Sequence, residues 1–186
     1  MNLARKLAAY ADQTLRLLSF TKREWKDIEY FEDNWINRTR MMAGFLPKNV
    51  SVMDLGCGKR WLQDIHPISE YIPVDYCDRG PGTLLCDFNK KEFPDKSVDY
   101  SFASGCLEYV ENPEWFIAEI ARTSKACILS YCTVDNIVDI KARRQLCWVN
   151  DLSRADIITL FNDVGMSLKD EAVYLPSNSI FVFSKE

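Results

Sequence analysis

A chain of 186 residues that is 47% hydrophobic and 27% charged has the profile of one soluble folded domain, not of a disordered tail or a disulfide-stapled miniprotein. Its 23 basic and 27 acidic residues leave a net charge of −4, which argues against a nucleic-acid binder, whose footprint is a basic stripe. Seven cysteines without a C-x-x-C pair, beside a single histidine, give no metal-ligand pattern and suit a reducing, cytoplasmic compartment.

The first twenty residues, MNLARKLAAYADQTLRLLSF, have neither the continuous apolar run nor the cleavage site of a signal peptide; they read as an amphipathic helix. No apolar run approaches the length of a membrane span. Trp25, Ile28, Phe31, Trp35, Met42 and Phe45 recur at helical spacing and predict a second helix over 22–45, stopped by Gly44 and Pro47. Residues 1–46 therefore read as helices that pack on, or close over, a main domain at 47–186.

From there the pattern changes to short strands: Val50–Leu55, Tyr71–Asp75, Thr83–Cys86, Ser97–Ala103, Ala126–Cys132, Leu168–Tyr174 and Ser179–Ser184. Helices are predicted over Pro113–Thr123, Asn136–Trp148 and Ser153–Val164, the last with Ser153 as N-cap and Gly165 as its stop. Only Leu175 to Asn178 separate the final strands, so they form a hairpin and the last strand is antiparallel. The alternation predicts an α/β fold, Rossmann-like, with a seven-stranded, mostly parallel sheet. Its crossovers are trimmed. The first helix has room only from Lys59 to Ile65, and the second connection, Tyr76 to Gly82, is shorter than the ten or so residues a helical crossover needs. One sheet face is left thin, for the N-terminal helices or a partner domain or oligomer to cover.

Ligands in such sheets sit beyond the carboxyl ends of the strands. Asp54, Asp75 and Asp87 all stand at such ends. Between the first strand and its helix runs VMDLGCGKRW, with Gly56 and Gly58 suited to a sharp turn and a close ligand approach. The dinucleotide fingerprint would place a third glycine at 61, where Trp61 stands. That disfavours an NAD or sugar-nucleotide site. Asp54 ahead of the glycines would repel a pyrophosphate but would welcome an ammonium group.

At VMDLGCG, IPVDY, CDFN and FPDKSVDYSFASGCLEYVENP, the chain resembles class I S-adenosylmethionine-dependent methyltransferases, of the small methyltransferase-domain type that includes the MetW-like proteins. The resemblance runs from about Val50 to Glu186. It implies S-adenosylmethionine as cofactor. By it, the turn of Asp54, Leu55, Gly56, Cys57 and Gly58 holds the methionine end. Asp75, with Tyr76 beside it, takes the ribose hydroxyls, and Asp87 takes the adenine amino group between Cys86 and Phe88. Ser104, Gly105 and Leu107 line the floor near the sulfonium. The resemblance implies transfer of a methyl group to a small-molecule or sugar-type acceptor; the alternative is a non-catalytic cofactor-binding or scaffold module of the same fold. No catalytic base is assigned. Glu108 and Tyr109 lie nearest the expected methyl group, and His66 reads as a cap or packing residue. Tyr131, Trp148 and Arg143-Arg144 suit either a bound anion or sugar, or core and surface.

Overall fold

A computed structural model describes residues 25–186, so the amphipathic helix expected in the first twenty residues lies outside the described part. The strands are β1 (Ser51–Leu55), β2 (Glu70–Asp75), β3 (Leu84–Leu85), β4 (Val98–Ser104), β5 (Ser124–Tyr131), β6 (Met166–Leu175) and β7 (Asn178–Lys185). The helices are α1 (Trp35–Ala43), α2 (Trp61–Ile65), α3 (Pro113–Thr123), α4 (Ile140–Gln145) and α5 (Arg154–Asp163). All strands join one sheet in the order β3-β2-β1-β4-β5-β7-β6, and only β7 runs antiparallel to its neighbours. The predicted α/β sheet and its terminal hairpin are both present.

The period-two alternation of side chains sorts each strand between two cores. Met53, Leu55, Ala103, Cys127, Leu129, Phe181 and Phe183 face one way, onto Phe116, Ile117 and Ile120 of α3 and Ile157 and Phe161 of α5. Val52, Phe102, Ile128 and Ile180 face the other way, onto Met42 and Ala43 of α1, Leu46, and Leu62 of α2. The second face is thus covered from within the chain, by α1.

Helix ends follow local chemistry. Asn112 accepts the Trp115 N–H, with Pro113 at the first helical position of α3. Ser153 and Asp156 form a reciprocal capping box on α5. Two expectations need correction. The helix predicted over 22–45 is a 3₁₀ turn at Trp25–Asp27, a non-helical stretch, and then α1. Helical spacing of aromatic residues there serves ring-to-ring packing instead: Phe31 lies edge-on to both Trp25 and Trp35. The helix predicted over Asn136–Trp148 shrinks to α4, because Asp139 caps the N–H groups of Lys141 and Ala142, and Cys147 adopts a left-handed φ of 61°. The second crossover is a loop, as its length required. Among the described residues, no helix is long and apolar enough to cross a membrane.

Candidate active site

The site is built where β1, β2 and β4 end. After Leu55 the chain turns through Gly56 (φ 70°) and Gly58 (φ 50°), both left-handed. Space demands glycine as well: a Cβ on Gly56 would lie 3.0 Å from Cys106 Sγ, and one on Gly58 would lie 2.5 Å from the Phe31 ring. The Gly56 and Cys57 N–H groups donate to the Val74 carbonyl, and the Gly58 N–H donates to Asp75 Oδ2 at 3.0 Å. The turn is therefore tied to the end of β2.

The three acids differ in their surroundings. Asp54 is buried and accepts the Tyr71 hydroxyl at 2.6 Å; burial pushes its carboxyl up to about 7, while the tyrosine bond pulls the other way and the Asp75 charge adds to the rise. Asp75 is also buried, and its Oδ1 faces Arg79 Nη2 at 3.2 Å. Arg79 also grips Glu29 through two bonds of 2.6 and 2.7 Å, and the Tyr76 hydroxyl donates to the same carboxylate. The Arg79 guanidinium holds Glu29 below the usual carboxylate range. Asp87 caps the 3₁₀ turn Phe88–Lys90, accepting the Asn89 N–H, with Lys90 Nζ 3.3 Å away.

At the end of β4, Arg38 of α1 reaches over Ser104 and Gly105. Its Nε donates to Ser104 Oγ at 3.0 Å, and a Cβ on Gly105 would meet its guanidinium at 2.7 Å. Among the described residues, no carboxylate pairs with Arg38 within salt-bridge distance.

One cavity of about 670 Å³ gathers these groups. Of the residues expected from the sequence, Asp54, Gly56, Cys57, Gly58, Asp75, Tyr76, Cys86, Asp87, Phe88, Ser104 and Gly105 lie on its wall. Leu55 and Leu107 are not on it: both are fully buried, with their side chains in the α3 and α5 core. The wall also holds residues that the sequence did not single out for the site. Trp25, Phe31, Trp35 and Arg38 enter from the N-terminal segment, and Asn178 from the hairpin. Trp25 packs on Tyr109 with ring centroids 4.8 Å apart.

The remaining candidates separate clearly. Tyr131 and Arg143 are core: Arg143 is fully buried, donating to Asp151, the Cys132 carbonyl, the Tyr131 hydroxyl and the Asn150 carbonyl. Arg144 lies at the surface, paired with Asp151. Trp148 lines the cavity. His66 is not on its wall; its Nε2 sits 3.2 Å from the Pro47 carbonyl. Burial pushes the Cys57 and Cys106 thiols up, which disfavours the thiolate form at both. Among the described residues, no cluster of His, Cys, Asp and Glu could hold a metal ion.

Residues 53–126 match the family profile described as a methyltransferase domain. No curated protein matches the chain. Among solved structures, an S-adenosylmethionine-dependent methyltransferase from Mesorhizobium loti is similar at 16% identity, covering 82% of this chain and 97% of its own, with a TM-score of 0.64. The 1,6-didemethyltoxoflavin-N1-methyltransferase of Burkholderia thailandensis, bound to its acceptor and S-adenosylhomocysteine, has 12% identity, coverage of 100% and 91%, and a TM-score of 0.63. The magnesium protoporphyrin IX methyltransferase of Synechocystis, with bound S-adenosylhomocysteine, has 15% identity, coverage of 96% and 94%, and a TM-score of 0.61.

Proposed function

We propose that the chain is a class I S-adenosylmethionine-dependent methyltransferase and that it methylates a small-molecule or saccharide acceptor held beside the cofactor in the cavity at the ends of β1, β2 and β4; the matching methyltransferase-domain profile and the shared fold of the similar structures support this reading. The observation that carries this reading is the convergence of the glycine turn and the acids of three adjacent strand ends on one cavity of about 670 Å³. Small-ligand sites span roughly 300–1,000 Å³, so the space fits a cofactor and a compact acceptor rather than a macromolecule. The acidic balance of the chain also speaks against a nucleic-acid acceptor.

The residues present fit the cofactor. Asp54 is a buried carboxylate with a single hydroxyl partner, and a cofactor ammonium group would give it the counter-charge it lacks. Arg38, without an acid partner among the described residues, suits the cofactor carboxylate at the other side of the turn. Asp75 is an acceptor-only group suited to a pair of ribose hydroxyls, and Asp87 is placed for an exocyclic amine, with Cys86 and Phe88 as apolar neighbours. When bound, S-adenosylmethionine supplies a methyl group already activated by the sulfonium charge. The protein's part is to align the acceptor and to exclude water. Trp25, Phe31 and Trp35 do the second, closing the cavity from the N-terminal side.

Calorimetric titration with S-adenosylmethionine, and with NAD as control, tests the reading. Binding of the first and not the second is expected, together with methylated product from a panel of small hydroxyl- and amine-bearing acceptors. Binding of neither ligand would sink the assignment of this cavity.

A further inference from the structure

Two buried oxygens on the cavity wall lack a hydrogen-bond partner. Glu108, in the 3₁₀ turn Leu107–Tyr109 after β4, is 2% exposed. Its Oε1 accepts the Cys132 N–H at 3.0 Å, while its Oε2 is buried with nothing to accept from. Asn178, the first residue of β7, is 4% exposed. Its Nδ2 donates to Cys132 Sγ at 3.2 Å, and its Oδ1 is buried and unpartnered as well. Both side chains thus flank Cys132, and all three residues line the cavity.

Such atoms are costly. An unsatisfied buried acceptor loses about 1–3 kcal/mol of solvation, and a carboxylate more. Tying the end of β4 to the end of β5 explains only Oε1, since a glutamine would accept the Cys132 N–H equally well. No lysine or arginine lies within salt-bridge distance of Glu108 among the described residues. Burial raises the Glu108 pKa, while its own backbone N–H, the Arg38 charge, the Cys132 N–H and the Arg143 charge act against the rise. A carboxyl raised in this way is better matched to taking up a proton near neutral pH. The wall of the same cavity also carries aromatic rings, including Trp35, Tyr109 and Trp148.

We propose that Glu108 and Asn178 form the acceptor subsite, that they receive hydrogen bonds from an N–H or O–H nucleophile carried on a flat apolar ring, and that Glu108 Oε2 takes the proton released on methylation. The inference rests on the methyltransferase reading above. In the transfer, the bond between the acceptor nitrogen or oxygen and the methyl carbon forms. The carbon–sulfur bond breaks, its electron pair stays on sulfur, and the acceptor proton passes to Glu108. Glu108 is then a catalytic residue in contact with substrate, and Asn178 a specificity residue that rejects rings lacking a donor.

The test uses the full chain loaded with S-adenosylhomocysteine, with loading confirmed by calorimetry. Phenol, aniline, toluene and benzoate are titrated while the indole N–H resonances of Trp35 and Trp148 are followed. Phenol and aniline should bind at least tenfold more tightly than toluene, and benzoate should not bind. Glu108→Gln keeps the acceptor for the Cys132 N–H and turns the free oxygen into a donor. It should weaken phenol at least tenfold and admit benzoate. Asn178→Ala should weaken phenol severalfold without admitting benzoate. Loaded protein that holds toluene as well as phenol, or a Glu108→Gln variant that retains its fold by circular dichroism and keeps the original preference, would overturn the subsite alone. Failure of S-adenosylhomocysteine to bind would instead overturn the methyltransferase reading and the subsite with it.

Discussion

The two halves of the sheet are held by different means. On the β4–β7 side the crossovers are full helices, α3 with 11 residues and α5 with 10, and Phe161 stacks on Phe183 with ring centroids 3.8 Å apart. On the β1–β3 side the crossovers are a five-residue helix and a loop, and β3 has two residues. There the ties are polar: Gly58 to Asp75, Tyr71 to Asp54, and Arg79 to Asp75 and Glu29. Apolar packing needs no ligand. The polar half is ordered by the same groups proposed above to contact a cofactor, and on that proposal its stability and its binding are one matter.

That contrast can be broken most severely at the stack. Phe161→Ala should cost about 3–5 kcal/mol in denaturant unfolding, as for other buried phenylalanines. A cost under about 1 kcal/mol would show that the helical half does not rest on this packing. Next comes Asp54. Its folded-state pKa, about 7, lies above its ordinary value of 3.8, so the folded chain holds the proton more tightly than the unfolded one. The stability this contributes is present below 3.8 and is lost as pH rises to about 7. Without cofactor, Asp54→Asn removes that loss. Relative to the parent, the variant should therefore gain stability between pH 4 and 8, on the order of a few kcal/mol, read from melting curves.

Saturation with S-adenosylhomocysteine at about a hundred times Kd should add about 2.7 kcal/mol. Amide exchange should place the new protection in β1, β2 and the turn between them, with β5 and β7 little changed. Uniform protection across the sheet would erase the contrast. Asp75→Ala should weaken cofactor binding tenfold or more, about 1.4 kcal/mol, in a calorimetric titration. The smallest effect belongs to the edge: Leu85 is 62% exposed, and Leu85→Lys should stay within about 0.5 kcal/mol of the parent.

Much of the fold was legible because its signals are local. Strand ends carry acids, Ser153 and Asp156 announce α5, and the short link after Asp75 rules out a helix. The candidate site was legible where one loop supplies the cavity wall, with Asp54, Gly56, Cys57 and Gly58. What escaped was long-range. Arg38 meets Ser104 across 66 positions of chain, and nothing in its own neighbourhood marks that contact. Asn178 reaches Cys132 only because β7 runs antiparallel to β5, with Tyr131 opposite Ser179. Leu55 and Leu107 stood beside site residues in sequence, yet Leu55 follows the strand alternation into the core and Leu107 packs there from the 3₁₀ turn after β4. The aromatic spacing over 22–45 suggested a helix because ring packing between non-helical residues can mimic a helical period.

One guanidinium has a consequence for the whole molecule. Arg79 touches Asp75 at the end of β2 and Glu29 in the N-terminal segment at the same time. A ligand that competes for Asp75 changes the charge around Arg79, and with it the hold on Glu29. By thermodynamic reciprocity, whatever free energy ligand binding adds to or removes from the docking of that segment, docking returns to binding in equal measure. The covering segment and the acid beneath it therefore behave as the two pans of one balance.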